Sequence, residues 1–451
     1  MYSSTKTIDR FPGLQKVPEY VPVSLAAPIS VKKERLILVL FAAYIIGAHL
    51  RLSLHSGGTV FVPMFMMVFS SFAIALLFSS ALWSRVGVLL SALSLFFLIQ
   101  PWLGGDVNDS SVVIKNILQI IISISVATAI IFGLSMVDPR KTRKLLLFLW
   151  IGLVFLAFIE VAFFKSIFDS AREFLYSGSG RGVYSAVHRD VNIYGRVRAT
   201  ALASEPSFLA DTLSILTVMV FMLTRRFGTW KPWLLLAVMI LISFFAVPSF
   251  KMAFFVLALL VWVAWPQTRL QFLVVLFSVV CALGLTFISS DVIISLLEEL
   301  GGEHLNTGSF YGRIGSAHMI GIDALSRQPF YGYGLGNREA VYPLIVDAWN
   351  RSGAFSLFPW YSNATAEHLL SNGFWWMCIY LGIVGTIFFM LLMSRILREV
   401  GVQYPWRSMT CAAIVWYAGS AFVDPHSWFV VVAFSLGALK FTCTQERKSQ
   451  V

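Results

Sequence analysis

Charge is the scarcest property of this chain. Only 13% of its 451 residues are Asp, Glu, Lys or Arg, whereas 58% are hydrophobic. With a mean hydropathy of +0.78, that apolar surface is too large for a water-soluble core, so part of the solvent must be lipid. Cysteine is nearly absent too. The four present, Cys281, Cys378, Cys411 and Cys443, all fall in apolar stretches and read as small core residues, which excludes a disulfide framework and a metal-ligand spacing. There is no Asp-x-Asp pair, no His-x-x-x-His and no Gly-x-Ser-x-Gly elbow. The sequence therefore points to no metal, no cofactor and no serine-hydrolase chemistry.

A net charge of +11 could suggest nucleic acid, but the placement of the charges decides against it. Twelve apolar runs serve as candidate spans: 36–52, 59–82, 87–103, 112–135, 145–163, 207–224, 231–247, 252–265, 270–289, 371–393, 408–423 and 427–443. Arg85, the cluster Arg140-Lys141-Arg143-Lys144, Arg225, Arg226, Lys231, Arg269, Arg395, Arg398, Arg407, Arg447 and Lys448 all fall on one side. The loop Gly104–Ser110 on the other side holds two Asp and no Lys or Arg. By the positive-inside bias both termini are cytosolic. The first thirty or so residues, ending in Lys32-Lys33-Glu34-Arg35, read as a cytosolic tail rather than a cleavable signal peptide.

The expected organisation is a tail (1–35), N-terminal spans (36–163), a first long outer loop (164–206), central spans (207–289), a second long outer loop (290–370), C-terminal spans (371–443) and a short tail (444–451). The fold class is thus an all-α polytopic membrane protein of about twelve helices with two long outer loops, the larger partly helical. In those two loops nine of ten basic residues are Arg (172, 181, 189, 196, 198, 313, 327, 338 and 351) and one is Lys165. Solubility or attraction to anionic lipid explains such charges equally well with Lys; the planar fork of Arg suits bidentate phosphate contact.

Three constellations could carry chemistry. In Arg196-Val-Arg198…Ser204-Glu205-Pro206-Ser207 a polar loop becomes an apolar span. Here Ser204 or Ser207 can cap the helix, Pro206 suits its first turn, and Glu205 either complements the helix dipole or serves as a carboxylate that orients an arginine or accepts a proton. Asp211 follows on the same helix and can support that site. The second constellation begins at Gly312-Arg313, continues with helical spacing through His318 and stops before Pro329. After it, Phe330-Tyr-Gly-Tyr-Gly-Leu-Gly336 lacks the strand–helix context of a nucleotide fingerprint and reads as a turn letting backbone approach a ligand or another helix. The third is Glu367-His368…Ser371-Asn372 at the start of a span. There His368 is either an interfacial histidine with a satisfied hydrogen bond or a base, because the positive helix end disfavours the imidazolium. Among charges inside spans, Lys115, Glu160, Asp211, Lys251 and Lys440 each cost about 2.5–3.5 kcal/mol at mid-membrane. Lys251 and Lys440, near span ends, carry the least expectation.

On these residues the chain resembles the O-antigen ligase/polymerase superfamily of bacterial inner-membrane glycosyltransferases, including Wzy-type polymerases. Arg198 eight residues before Pro206, Gly312-Arg313 opening a helix that ends in Pro329-Phe-Tyr-Gly332-Tyr-Gly334, and Asn372 followed by Gly382-Ile-Val-Gly385 match its pattern. Ser371 stands where the family has His, and His368 lies one helical turn earlier on the same face. The resemblance implies a GT-C-like plan and a metal-independent transfer at the periplasmic face. A glycan would move from undecaprenyl pyrophosphate to a lipid-linked repeat unit, with Arg198, Arg313 and Arg196 on the pyrophosphate, His368 as base and Glu205 as support. It implies membrane lipid, a chain-length regulator and a flippase as partners, and no nucleic acid. Three other readings stand beside it: a ligase that delivers finished glycan to lipid A core, a lipid-linked oligosaccharide flippase or transporter, and a scaffold without catalysis. Unequal loops and the lack of matching halves speak against the transporter.

Overall fold

The computed structural model describes residues 29–56, 59–62, 64–104, 109–177, 183–184, 190–191, 195–225, 230–265, 311–419 and 421–441. The expected span 270–289, residues 1–28 of the first tail, the C-terminal tail, Arg181, Arg189, His188, His304, Cys281 and Cys443 lie outside them, whereas Lys32-Lys33-Glu34-Arg35, expected in the first tail, falls on the first helix.

Eleven of the apolar runs fall on helices. They are α1 (Val31–Leu50), α2 (Phe65–Leu77), α3 (Ser79–Leu103), α4 (Ser110–Ser135), α5 (Pro139–Ala162), α7 (Pro206–Arg225), α8 (Lys231–Ala246), α9 (Lys251–Val263), α12 (Gly373–Glu399), α13 (Pro405–Tyr417) and α14 (Pro425–Leu436). Among the described residues α3, α4, α5, α7 and α12 are long and apolar enough to cross a membrane. Their outward faces are apolar, with Val88, Phe148 and Phe158 largely exposed, as suits a lipid solvent. Polar side chains mark the starts: Ser30 accepts from the Lys33 amide, Asp109 from Ser111 and Val112, and Asp138 from Arg140.

The run 59–82 is not one span. Its first residues form a strand, Thr59–Val62, paired antiparallel with Leu54–Ser56, and the helical part breaks at Phe78 before α3 begins. The first outer loop also contains a helix, α6 (Lys165–Tyr176). It exposes Ile167 and Phe174 and pairs Lys165 and Arg172 with Asp169, an amphipathic segment suited to a membrane surface. In the second, a π-helical turn (Tyr311–Gly315) precedes α10 (Ala317–Arg327), and α11 (Arg338–Arg351) follows.

At the centre are α4, α7 and α14. Every residue of α14 is buried, and α7 contacts α1, α5, α8, α9 and α14. Cys378 and Cys411 are buried there as free thiols, and Trp416, Trp428 and Phe389 meet ring against ring at 5.4 and 6.0 Å.

One joint fixes the second loop to this bundle. α12 breaks at Gly382 (φ 66°, ψ −177°), which strips two carbonyls and two amides of helical partners. The turn Pro329–Gly336 replaces them. Tyr333 and Gly334 amides donate to the Ile379 and Tyr380 carbonyls (2.9 and 3.1 Å), while the Ile383 and Val384 amides donate to the Pro329 and Phe330 carbonyls (2.8 and 3.1 Å). Gln100 of α3, fully buried, donates to the Tyr331 carbonyl at 2.8 Å and accepts from the Leu335 amide at 2.9 Å. Inside a low-polarity bundle such a break survives only when each freed group regains a partner. The glycine-rich turn therefore approaches a helix, not a ligand. A Cβ on Gly332 (φ 65°) would lie 2.4 Å from the Ile379 carbonyl oxygen, and one on Gly382 would lie 2.4 Å from that of Phe330.

Gly332→Ala and Gly382→Ala should each destabilise the chain by about 2 kcal/mol or more, from left-handed strain plus backbone overlap. Gly152→Ala, with nothing within 4 Å of the added methyl, should be neutral or stabilising by about 1 kcal/mol. Thermal unfolding in detergent separates them; equal midpoints for all three would remove the joint from the account.

Candidate functional site

The described outer-loop segments gather at the end of the bundle where α1 and α13 finish and α7, α9, α12 and α14 begin. Arg51, the first residue after α1, adopts a left-handed conformation (φ 53°) that turns its side chain into the bundle. It donates to Asp211 Oδ2 at 3.0 Å and to His426 Nε2 at 2.8 Å, and its guanidinium lies 3.5 Å over the Phe208 ring. Because Arg can only donate, His426 Nε2 must accept, so its ring proton is on Nδ1 and the imidazole is neutral. Lys251, at the first position of α9, donates to the same Asp211 oxygen at 3.0 Å. Asp211 Oδ1 is buried and has no hydrogen-bond partner among the described residues.

Arg313 joins this group from the second loop. Its field reaches Lys251, and a Cβ on Gly419 (φ 114°) would lie 2.9 Å from its Nε. Asn372 holds the backbone there: Nδ2 donates to the Arg313 and Tyr417 carbonyls (2.7 and 2.9 Å) while Oδ1 caps α12 at the Trp375 amide (3.0 Å). The Ser371 amide donates to the Gly312 carbonyl at 3.1 Å, and the Gly312 position abuts the His368 and Leu369 carbonyls. The second and third constellations are thus one structure. Among the described residues Arg51 and Lys251 share the Asp211 carboxylate with Arg313 nearby, in a setting where screening is weak.

The loop before α7 is strained. Ala201 and Leu202 both have positive φ (47° and 71°), at a cost of roughly 1–2 kcal/mol each. Fully buried Glu160 offsets this by accepting from the Thr200 and Ala201 amides (2.8 and 2.6 Å) and the Thr200 hydroxyl (2.9 Å), with Lys165 beside it at 2.9 Å. His49 contacts the Ala201 carbonyl at 2.8 Å. Strain held this firmly is typical of functional sites, and this loop sets where α7 begins and so where Asp211 sits.

The residues singled out in the sequence divide accordingly. Arg313 lies in the cationic cluster. His368 is exposed, with Nδ1 2.9 Å from the Thr365 hydroxyl. Arg198 is buried and ion-paired with Asp190 at 2.8 Å, beside Tyr184. Arg196 is exposed, 3.5 Å from the Phe244 carbonyl. Glu205 is exposed and accepts from the hydroxyl of Ser207 at 3.0 Å, the local contact of a helix start, whereas Asp211 serves the cluster. Lys251, expected to matter little as a span-end lysine, is buried and paired; Lys115 is exposed. Arg51 and His426 carried no signal beyond being polar residues at the rims of apolar runs. Tyr311, packed on Trp349 and bonded to Ser352, has its pKa raised by burial and stays a neutral phenol. Among the described residues no three His, Cys, Asp or Glu side chains form a metal-binding group. No family model, curated protein or solved structure matches the chain.

Asp211→Ala should cost about 3–5 kcal/mol, because two buried cations lose their counter-charge. Adding Lys251→Met should recover part of that loss in thermal unfolding. A single variant as stable as the parent would contradict the ion-paired cluster.

Proposed function

We propose that this chain is a bacterial inner-membrane polysaccharide polymerase. It transfers a growing glycan from undecaprenyl pyrophosphate to a lipid-linked repeat unit at the periplasmic face, without a metal ion. The observation that supports this most is the gathering of Arg51 and Lys251 on Asp211, with Arg313 beside them, at one end of an apolar bundle. Such a group of cations suits an anion, and a lipid-borne pyrophosphate brings one while its tail stays among apolar helices. The sequence resemblance points to the same substrate.

In this reading Arg313 and Lys251 face the pyrophosphate. The hydroxyl of the acceptor sugar attacks the anomeric carbon of the donor glycan, the carbon–oxygen bond to phosphate breaks, and the electron pair leaves on the pyrophosphate. Cationic donors stabilise the charge that develops there, each hydrogen bond contributing about 1.5–3 kcal/mol. His368 takes the hydroxyl proton. Its Nδ1 is engaged by Thr365 and its ring is exposed, so Nε2 can serve once Nδ1 carries the proton. Arg198, already neutralised by Asp190, shapes the strained loop rather than contacting phosphate, and Glu205 belongs to the helix start.

Replacing Arg313 with Ala should leave the protein inserted and lower transfer about 100- to 1000-fold. In cells, long glycan ladders should collapse to single repeat units on a gel. Ladders of normal length in that variant would sink the assignment.

A further inference from the structure

At the end of the bundle opposite the Asp211 cluster, α7 and α9 finish and α13 begins. Arg407, the third residue of α13, is only 9% exposed there. Its guanidinium carbon lies 5.0 Å from the centre of the Trp262 ring, 5.6 Å from that of Trp265 and 4.9 Å from that of Tyr404. Arg225, the exposed last residue of α7, faces the same Trp262 ring at 5.5 Å, and its field reaches Arg407. Among the described residues no carboxylate pairs with either arginine. Arg407 Nε and Trp262 Nε1 are both buried without a hydrogen-bond partner. Glu399, at the end of α12, pairs instead with Arg395 at 3.2 Å.

Buried charge is ordinarily paired. Ring contact supplies part of what is missing, since a cation over an aromatic face gains about 0.5–2 kcal/mol. It brings no acceptor for the guanidinium N–H groups and no charge to set against two neighbouring cations. Trp262, the ring they share, is held in place: a Cβ on Gly437 would lie 2.5 Å from it. α9 and α13 are also joined directly, with the Cys411 thiol donating to the Ala258 carbonyl at 3.1 Å. The membrane itself supplies an anion at this level. Trp230 and Trp233 at the start of α8, and Tyr404 and Trp406 at the start of α13, are all exposed. Such amphipathic rings collect at the membrane–water boundary, where lipid phosphates lie. Basic sites between helices at that boundary take phosphate head groups, and Arg does so through paired N–H donors.

We infer that Arg407 and Arg225, backed by Trp262, Trp265 and Tyr404, bind the phosphate of an anionic phospholipid from the leaflet at this end of the bundle. The guanidinium groups take the phosphate oxygens, and the rings take the glycerol and the first acyl carbons. An anionic lipid is favoured over a zwitterionic one because only the former brings net negative charge to the two cations. The site is separate from the Asp211 cluster and does not rest on the transferase reading. It joins α7, α9 and α13, whose other ends carry Asp211, Lys251 and the Tyr417 carbonyl that Asn372 holds.

The test uses the full chain in phosphatidylcholine nanodiscs into which phosphatidylglycerol is titrated. Native mass spectrometry counts the retained lipid, and the thermal midpoint is followed alongside. The parent should retain phosphatidylglycerol about 10-fold in preference to phosphatidylcholine and should gain in midpoint as it is added. Arg407→Gln and Arg225→Gln should each remove most of that preference, a loss of about 10-fold. Arg395→Gln, at the same end but paired with Glu399, should leave it unchanged. Arg225→Gln, at an exposed position, decides the matter if Arg407→Gln fails to fold. Equal retention of the two lipids by the parent, a preference that survives in both arginine variants, or the same loss in Arg395→Gln overturns the site. Displacement of the lipid by soluble glycerol phosphate also overturns it, by assigning the arginines to a free phosphate ligand.

Discussion

The exchange of backbone hydrogen bonds between the turn Pro329–Gly336 and the break at Gly382 fixes the second long loop to the helix bundle. A helix interrupted inside a bundle exposes groups that lipid cannot satisfy. The four bonds from the turn, with Gln100 as a fifth element, convert that liability into a fixed joint about 13 Å from the start of α12, at 1.5 Å rise per residue. The second outer loop is thereby anchored at the joint, and Asn372 ties Arg313 to α12 and α13. The joint adds to the packing of α10 on α12 in fixing α10 and α11 relative to the helix ends that carry Arg51, Asp211 and Lys251.

Electrostatics then divides that end into two parts. A buried carboxylate is shared by Arg51 and Lys251 beside Arg313, whereas Arg338 pairs with Glu367 and reaches Asn116. Burial gives both groups force, because charges in a low-dielectric setting are poorly screened. The strained turn at Ala201 and Leu202, clamped by Glu160, delivers α7 and Asp211 to the first of these clusters. Each device is local, and the proposed chemistry depends on all three.

Much of the plan was legible in the sequence because apolar runs and their helix starts are local properties. Pro206 marks a helix beginning recognisable in the sequence, whereas the caps Ser30, Asp109 and Asp138 lie before the apolar runs and come from the structure. The glycine-rich turn was legible as a close approach, and the structure identifies the partner as α12. What escaped was pairing across distance. Nothing local indicates that Arg51 finds Asp211 160 residues later, or that the single carboxylate of Asp190 neutralises Arg198. Lys251 looked like a span-end lysine free to reach the interface, but α9 starts against α7, which brings its ammonium onto Asp211. The run 59–82 misled for a different reason: a two-stranded hairpin and a helix break are both apolar here, and hydropathy does not distinguish them.

The most direct measurement is single-component turnover. The purified chain in nanodiscs, given only undecaprenyl-pyrophosphate-linked repeat units and a chelator, should make glycan longer than one repeat and release undecaprenyl pyrophosphate in step with each bond formed. Formation of longer glycan only after a lipid A-core acceptor, a second protein or a divalent cation is added would contradict the account.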